Sequence, residues 1–415
     1  MELLCGSHQV MQKKAKYSII IPVHNSLKYL PTCIETIIRQ DFHDYELIIS
    51  DDNSTDGTTE YLRSLSHPNI KVIQPSTRLS MVEHFEWALG HAIGDWCMFV
   101  GGDDGLQSYF FELSEKLTTI AEEKNVRLIM SERAYFFWEG CDLLYGKQAV
   151  TYNARKSIRI LNSHYQSLLA LLGFQTYFEL PEMYTTSLFR KSVITEAKKK
   201  MGGRLLSTIP ADANLAAIGL SLEKYYIKSE IPLGWVGTSP NGVIYSMPAF
   251  DVSSLPRNIS YEDSSGNFAL RSCSIYFWNS ILKTELLRTE KLNKFLVSDI
   301  FKLFIFSGVL SEIRKESKID GDSRYQFFYE LLSLNKINYG MVFFISIFMG
   351  LAHKIYGFKN RILNYVFRRV SASYRYQLDW EAENSVNLLN ESEFIYREIK
   401  KRGLFDSVKL PRTEL

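Results

Sequence analysis

Two groups of carboxylates carry the chemistry available to this sequence. Asp51-Asp52-Asn53-Ser54 runs on to Asp56-Gly57, and further along stands Gly101-Gly102-Asp103-Asp104-Gly105. Adjacent aspartates offer hard oxygen ligands of the kind Mg2+ and Mn2+ prefer. Glycines beside them let a ligand come close to the backbone. Together they point to a site that holds a divalent cation and a phosphorylated ligand.

Both groups sit at the ends of apolar runs that read as strands. Tyr17–Val23 contains Ile19, Ile20 and Ile21 in succession, all β-branched, and Pro22 stops the hydrogen-bond ladder. Tyr45 to Ser50 is a second strand with Asp51 at its C-terminal end, Ile70 to Ile73 a third, and Trp96 to Val100 a fourth that delivers Gly101 to Asp104. Leu30, Cys33, Ile34, Ile37 and Ile38 fall at helical spacing with Pro31 in the first turn, and Met81, Phe85, Leu89 and Ala92 mark another helix. Asp56 is placed to cap a helix through Tyr61, Leu62 and Leu65. Strands alternating with helices imply a mostly parallel sheet with right-handed crossovers. The carboxyl ends of neighbouring strands are where such sheets bind ligands. A fifth strand at Val126 to Met130 extends the pattern before an aromatic stretch from Tyr135 to Trp138.

Three of these segments resemble family 2 of the nucleotide-sugar glycosyltransferases, of the bacterial surface-polysaccharide type. Tyr17-Ser-Ile-Ile-Ile-Pro-Val-His-Asn25 is similar to the family's opening strand and turn, and Glu46-Leu-Ile-Ile-Ser-Asp-Asp-Asn-Ser-Thr-Asp-Gly57 to its second strand and acidic signature. Gly94-Asp-Trp-Cys-Met-Phe-Val-Gly-Gly-Asp-Asp104 is similar to the strand that runs into its metal motif. The resemblance covers roughly residues 17–245. It implies an α/β fold of the GT-A (Rossmann-like) type: a mixed, mostly parallel sheet flanked by helices, here followed by a mainly α-helical C-terminal region.

The same resemblance implies roles. Asp104 would hold Mg2+ or Mn2+ and Asp103 the ribose, with Asp103 sharing the metal. Asp52 would accept from the ring N–H of uracil or thymine, with Pro22 and His24 lining the base pocket. Asn25, Asp51, Arg78 and Gly102 complete the donor side. Asp51 and Asp56 also suit turn-building and capping, and Arg78 also suits a plain surface position. An inverting transfer needs a base for the acceptor hydroxyl. Asp212, behind Pro210 at the start of an Ala/Leu-rich helix, is the candidate, with helix-dipole stabilisation as its structural alternative. Glu182 is a second acceptor-side candidate, and Trp235 to Gly242 reads as a flap over the donor. The sequence departs from the family at Gly101, where many members carry aspartate. That departure implies weaker metal affinity or fewer protein ligands for the metal, and it keeps open a non-catalytic nucleotide-sugar or glycan-binding module. The histidines His24, His43, His84 and His164 show no ligand spacing.

With 415 residues, 46% hydrophobic and 23% charged, the chain can bury a substantial core in more than one domain. A net charge of +2 argues against nucleic acid as a partner. Five scattered cysteines, with no paired spacing, and the lack of a leader-like apolar core near the first residues lead to an expectation of a cytoplasmic protein. On that expectation the Asn258-Ile259-Ser260 sequon goes unused. Residues 1–16 read as an N-terminal extension, 17–250 as the GT-A domain, 251–266 as a Ser/Asp/Asn/Gly-rich linker and 267–415 as a helical domain without strand alternation.

In that last region Tyr339 to Ala352 is strongly apolar and a basic, aromatic stretch follows it, with no acidic residue until Asp379. A buried helix packing a homodimer, peripheral contact with the inner-membrane surface, and a membrane-spanning helix are the readings this pattern allows. The expected partners are a nucleotide-sugar donor and a glycan or lipid-linked glycan acceptor, as in O-antigen, capsule or lipopolysaccharide assembly.

Overall fold

The computed structural model describes residues 15–141, 148–155, 157–240, 272–316, 335–366, 371–377 and 388–403, with single positions between 325 and 333. The 251–266 linker and its sequon lie outside the described residues.

The N-terminal half alternates strands and helices: β1 Tyr17–Val23, α1 Leu30–Ile38, β2 Tyr45–Asp51, α2 Thr58–Ser64, β3 Ile70–Ile73, α3 Met81–Gly90, β4 Trp96–Phe99, β5 Gly105–Leu106, α4 Phe110–Glu123 and β6 Leu128–Ser131. The chain continues through β7 Ala134–Phe137, β8 Gln148–Arg155, β9 Ile158–Asn162, α5 Ser163–Leu171, β10 Ser187–Arg190, α6 Lys191–Lys200, α7 Ala211–Leu222, β11 Tyr225–Ser229 and β12 Gly234–Thr238. It ends with α8 Cys273–Lys283, α9 Glu290–Leu296, α10 Asp299–Glu316, α11 Tyr339–Val366, β13 Ser371–Gln377 and α12 Leu388–Lys401.

Eight strands form the main sheet in the order β3-β2-β1-β4-β10-β6-β11-β9. The β3-β2-β1-β4 part is parallel, whereas β10 runs antiparallel to both β4 and β6. The sheet is thus mixed, with helices packed against it, as an α/β fold requires. A second sheet, β13-β8-β7-β12-β5, stands beside it.

Side-chain alternation along the strands divides the interior into two cores. Ile20, Ile48, Cys97 and Phe99 enter one, with residues of α3, α5, α7, α8 and α10. Tyr17, Ile19, Ile21, Leu47, Ile49, Trp96 and Met98 enter the other, with α1, α4, the second sheet and α12. Both faces of β1, β2 and β4 are covered, which is why these strands read as unbroken apolar runs. Each fully buried Ile or Leu there contributes roughly 1.5–3 kcal/mol.

Register sets the site. Val23 pairs with Asp51 and Ile20 with Phe99, so the loops after β1, β2 and β4 leave the sheet along one edge. The helix starts are fixed locally: Ser80 and Glu83 form a reciprocal capping box at α3.

The C-terminal region is mainly helical, as expected, and carries one strand, β13, which pairs antiparallel with β8. Its helices pack into the same cores as the N-terminal half: α8 and α10 share the first, while Leu388, Ile395 and Ile399 of α12 share the second with β1 and α1. Trp235 Nε1 donates to Ser392 Oγ at 2.6 Å, and a Cβ on Gly105 would lie 2.6 Å from Leu388 Cδ2.

Candidate functional site

The loop after β2 is knitted to itself. Asp51 Oδ1 accepts from Ser54 N (3.1 Å) and Ser54 Oγ (2.5 Å), and Oδ2 accepts from Thr59 Oγ1 (2.5 Å) and Gln74 Nε2 (3.3 Å). Asp56 Oδ1 accepts from Thr58 N and Thr58 Oγ1 at the start of α2, and Oδ2 from Leu27 N. Asn25, in the left-handed region at φ 54°, accepts from Thr55 N at 2.8 Å and binds Ser54 Oγ through its own N–H. The bonds of Asp51 and Asn25 thus tie together the loops after β1, β2 and β3.

Asp52 is different. Its Oδ1 accepts from Leu79 N (2.9 Å), just before the α3 capping box, and its main-chain oxygen bonds His24 Nδ1 (2.9 Å). These contacts gather Asp52, His24 and Leu79 at the ends of β1 and β2. Arg78 is exposed next to this group.

The loop after β4 encloses a polar cradle. A Cβ on Gly101 would lie 2.9 Å from Asp104 Oδ2, 2.9 Å from Tyr184 Oη and 3.2 Å from Asp103 Oδ1. An aspartate at this position would have to displace these groups. Gly101 is thus matched to oxygens that crowd the space where its side chain would begin. Gly102 is packed on Ser26 and Val23.

Asp104 is buried and saturated. Its Oδ2 accepts from Gly101 N (2.9 Å) and Thr185 Oγ1, and its Oδ1 from Gly237 N (2.7 Å). Burial, followed by the adjacent Asp103 charge, pushes its carboxyl up to about 7 against these donors. Asp103 is held above the ordinary carboxylate range by burial, offset in part by Ser239 Oγ, which donates to Oδ2 at 2.6 Å. Trp138 Nε1 donates to the Asp103 carbonyl at 2.8 Å. Asp104 anchors the loop to β12 and Thr185, and Asp103 Oδ1 lies beside Asp104 Oδ2 at the cradle.

The stretch expected to be a flap is part of this anchor. Trp235 is fully buried, and residues 234–238 are β12. A Cβ on Gly237 would lie 1.7 Å from the Asp103 carbonyl oxygen, so no other residue lets β12 approach this closely. Positions 241 and 242 fall outside the described residues.

The cradle fits a divalent cation in one respect and limits it in another. Two adjacent carboxylates, both raised by burial, face a space lined with oxygen, where a cation would favour their ionised forms. Among the described residues, however, no group of three or more His, Cys, Asp and Glu is gathered as a metal site. The donor set thus suits Mg2+ or Mn2+ that takes one carboxylate from the protein and its remaining ligands from phosphate and water.

Across the cradle lies a second acidic group. Asp212 occupies the first turn of α7, half-buried, its Oδ1 accepting from Ala213 N at 2.8 Å and both oxygens within 3.5 Å of Tyr177 Oη. Burial holds its carboxyl above the usual range. Glu182 is buried, pairs with Arg133 through Oε1, and has no partner for Oε2 among the described residues. Burial pushes it up to about 8 against the pull of Arg133. Arg133 lies 4.8 Å from the Phe178 ring and donates to the Phe178 carbonyl.

Tyr184 joins the two halves. Its hydroxyl is raised well above the ordinary range by burial and then by the charges of Asp104, Asp103, Asp212 and Glu182. Sequence patterns missed Tyr184, Thr185 and Arg133, and placed Gly237 and Ser239 only within the expected flap. Arg133 alone left a signal, as part of a Glu-Arg pair between two apolar strands.

Residues 18–172 match the family model described as glycosyl transferase family 2. Over 93 residues the chain is 34% identical to a PGL/p-HBAD biosynthesis glycosyltransferase of Mycobacterium bovis, covering 22% of this chain and 36% of that protein. Over 127 residues it is 24% identical to glycosyltransferase GlyG of Streptococcus pneumoniae, covering 30% and 40%. The matched region thus spans well under half the length of these relatives. Among solved structures, S. aureus TarS 1-349 in complex with UDP-GlcNAc aligns at a TM-score of 0.42 and 15% identity, covering 74% of this chain and 95% of that one. A mannosyltransferase of Pyrobaculum calidifontis in complex with GDP-Man and Mn2+ aligns at 0.40 and 12%, covering 83% and 87%.

Proposed function

Taking residues 18–172 as a glycosyl transferase family 2 domain, we propose that this chain is an inverting glycosyltransferase that moves a sugar from a nucleoside-diphosphate donor to a hydroxyl of a glycan or lipid-linked glycan. The observation that carries the reading is the cluster of oxygens around Gly101, where Asp103 Oδ1, Asp104 Oδ2 and Tyr184 Oη all come within 3.2 Å of the position a Cβ would take. A donor and an acceptor held on either side of it would bring an anomeric carbon and an attacking oxygen together.

In this reading Asp52 Oδ2 accepts from the base, with Pro22 and His24 against the ring. A uracil or thymine donor suits it because both carry that ring N–H. Asp103 Oδ1 faces the diphosphate. A divalent cation held there would act as a Lewis acid on the departing phosphate oxygens. Asp212 accepts the proton of the acceptor hydroxyl as its oxygen bonds to the anomeric carbon and the bond to the diphosphate breaks. Arg133 orients Glu182, whose unpartnered oxygen is available to an acceptor hydroxyl. Asp104 and Gly237 keep the loop in place.

The single protein carboxylate open to a metal, with Gly101 in the cradle, favours one competing reading: a module that binds nucleotide-sugar without turning it over. Release of nucleoside diphosphate with Mn2+, from UDP- and dTDP-sugars and with glycan acceptors, separates the two. The enzyme reading expects metal-dependent release that falls by about 10²–10⁴ on Asp212→Asn, with donor-induced thermal stabilisation retained. Nucleotide binding without release, unchanged by Asp212→Asn, establishes the module instead.

A further inference from the structure

The long helix α11 has two apolar faces. Val342, Ser346, Met349 and His353 form the buried one. It is docked onto the body: Ser307 Oγ donates to the Val342 carbonyl at 3.2 Å, Arg314 Nη1 to Ser346 Oγ at 3.0 Å, and His353 Nε2 bonds the Leu172 carbonyl at 2.9 Å beneath the Phe174 ring. The opposite face carries Phe344, Ile347, Phe348, Leu351, Ile355 and Phe358, each between 52% and 65% exposed. Their spacing of three and four residues makes a continuous stripe. A row of large apolar side chains this long is far more than the scattered exposed leucines of an ordinary surface.

Charge says what covers the stripe. Residues 331–378 contain seven lysines and arginines and no aspartate or glutamate, in a chain whose net charge is +2. Lys354 and Lys359 are exposed and interleaved with Ile355 and Phe358, and Lys336 is exposed just ahead of the helix. A second copy of the chain docked through the same stripe would bring two such basic segments together. An anionic lipid surface meets both features, accepting the apolar side chains at the headgroup boundary and pairing with the lysines.

Tyr339–Lys359 is also long and apolar enough to cross a bilayer, with mean hydropathy 1.6 over 21 residues. The docked face argues against crossing, since the helix is hydrogen-bonded side-on to α10 and to Leu172. We infer that α11 lies in the plane of an anionic membrane, with the Phe344–Phe358 stripe inserted and the body of the protein seated on it. This inference is independent of the reaction proposed above.

The test is co-sedimentation of the full chain with vesicles of phosphatidylcholine containing roughly a third phosphatidylglycerol, at low and high salt, beside vesicles of phosphatidylcholine alone. Binding is expected only with the anionic lipid at low salt. Phe344→Ser with Phe348→Ser should weaken it at least tenfold, with circular dichroism unchanged because both sites are exposed. Lys354→Gln with Lys359→Gln, which leaves the apolar stripe intact, should weaken it about fivefold per lysine and flatten its salt dependence. Two results overturn the inference: wild-type chain that stays in solution with anionic vesicles, or lysine variants that bind as wild type does. A lipid-free dimer that Phe344→Ser with Phe348→Ser dissociates assigns the stripe to a second copy and overturns it as well.

Discussion

In the loop after β2, Asp51 receives four donors and Asp56 three, nearly all from the same turn. In the loop after β4, Asp104 and Asp103 both stay above the normal carboxylate range although hydrogen bonds reach them, because burial, joined at Asp104 by the Asp103 charge, outweighs those bonds. The two loops share a composition of Asp, Gly and small polar residues and hang from parallel strands of one sheet. They differ in where the donors come from. Asp52 apart, which reaches Leu79, the first loop satisfies its carboxylates mostly from within residues 54–59. The second borrows donors from Thr185, Gly237 and Ser239, far away in sequence, and keeps an oxygen turned to the cradle. A carboxylate satisfied within its own turn is finished, whereas an under-compensated buried pair awaits a cation or a proton.

The largest effects should separate the two loops directly. Asp103→Asn is expected to lower metal-dependent release of nucleoside diphosphate by about 10³ while leaving the unfolding midpoint unchanged or higher, because it removes one of two repelling charges. Asp51→Asn should do the reverse. Release per folded molecule stays within a few-fold, while stability falls by about 1–3 kcal/mol as charge-assisted bonds to Ser54 and Thr59 are weakened. Urea unfolding beside a turnover assay reads both, and equal losses of activity would erase the distinction.

A second contrast lies in pH. Asp212 must be ionised to accept a proton, and burial raises its carboxyl. Activity should therefore rise with pH along an acid limb displaced above the ordinary carboxylate range, and Asp212→Asn should abolish that limb along with most of the rate. A profile whose acid limb persists in Asp212→Asn would move the base elsewhere, with Glu182 next in line.

The smallest effect tests the cradle itself. Gly101→Ala places a methyl group 2.9 Å from Asp104 Oδ2 and Tyr184 Oη, so those groups must shift by a few tenths of an ångström. Donor affinity should fall by about tenfold while Asp104 remains anchored, read by titrating nucleotide and Mn2+ together. Unchanged affinity would mean that the space above Gly101 is not where the diphosphate sits.

Much of the nucleotide half is legible in the order of its residues. Tyr17–Val23 and Ile70–Ile73 appear with the expected bounds, and Asp51 and Gly101 fall at strand ends as expected. There the pattern is local: consecutive β-branched residues buried on both faces, then glycine and aspartate. The roles within the clusters are not legible in the same way. Nothing adjacent to Asp104 in the sequence says that Gly237 and Thr185 will consume its lone pairs, so Asp103 and Asp104 look interchangeable until the sheet is assembled. β13 is hidden for a related reason. Ser371–Gln377 alternates polar residues with Ala372, Tyr374 and Tyr376 at the period of a strand, but it follows a long apolar helix and a run of arginines that dominate the pattern. Its partner β8 lies more than two hundred residues earlier.

The contacts of α12 with Gly105 and Trp235 also set an order of events during synthesis. The ribosome releases β1 to β4 early, and these strands can pair as they emerge. The side of the Asp103 loop that rests on Leu388 has no cover until almost three hundred more residues have been translated, counting from Gly105. Closing so distant a contact is slow compared with local pairing. A nascent chain should therefore present a formed Asp52 corner beside an unfinished Asp103 loop, with Trp235 open to chaperones. The activity proposed above would then be the last property the polypeptide acquires, well after the Asp52 corner has formed.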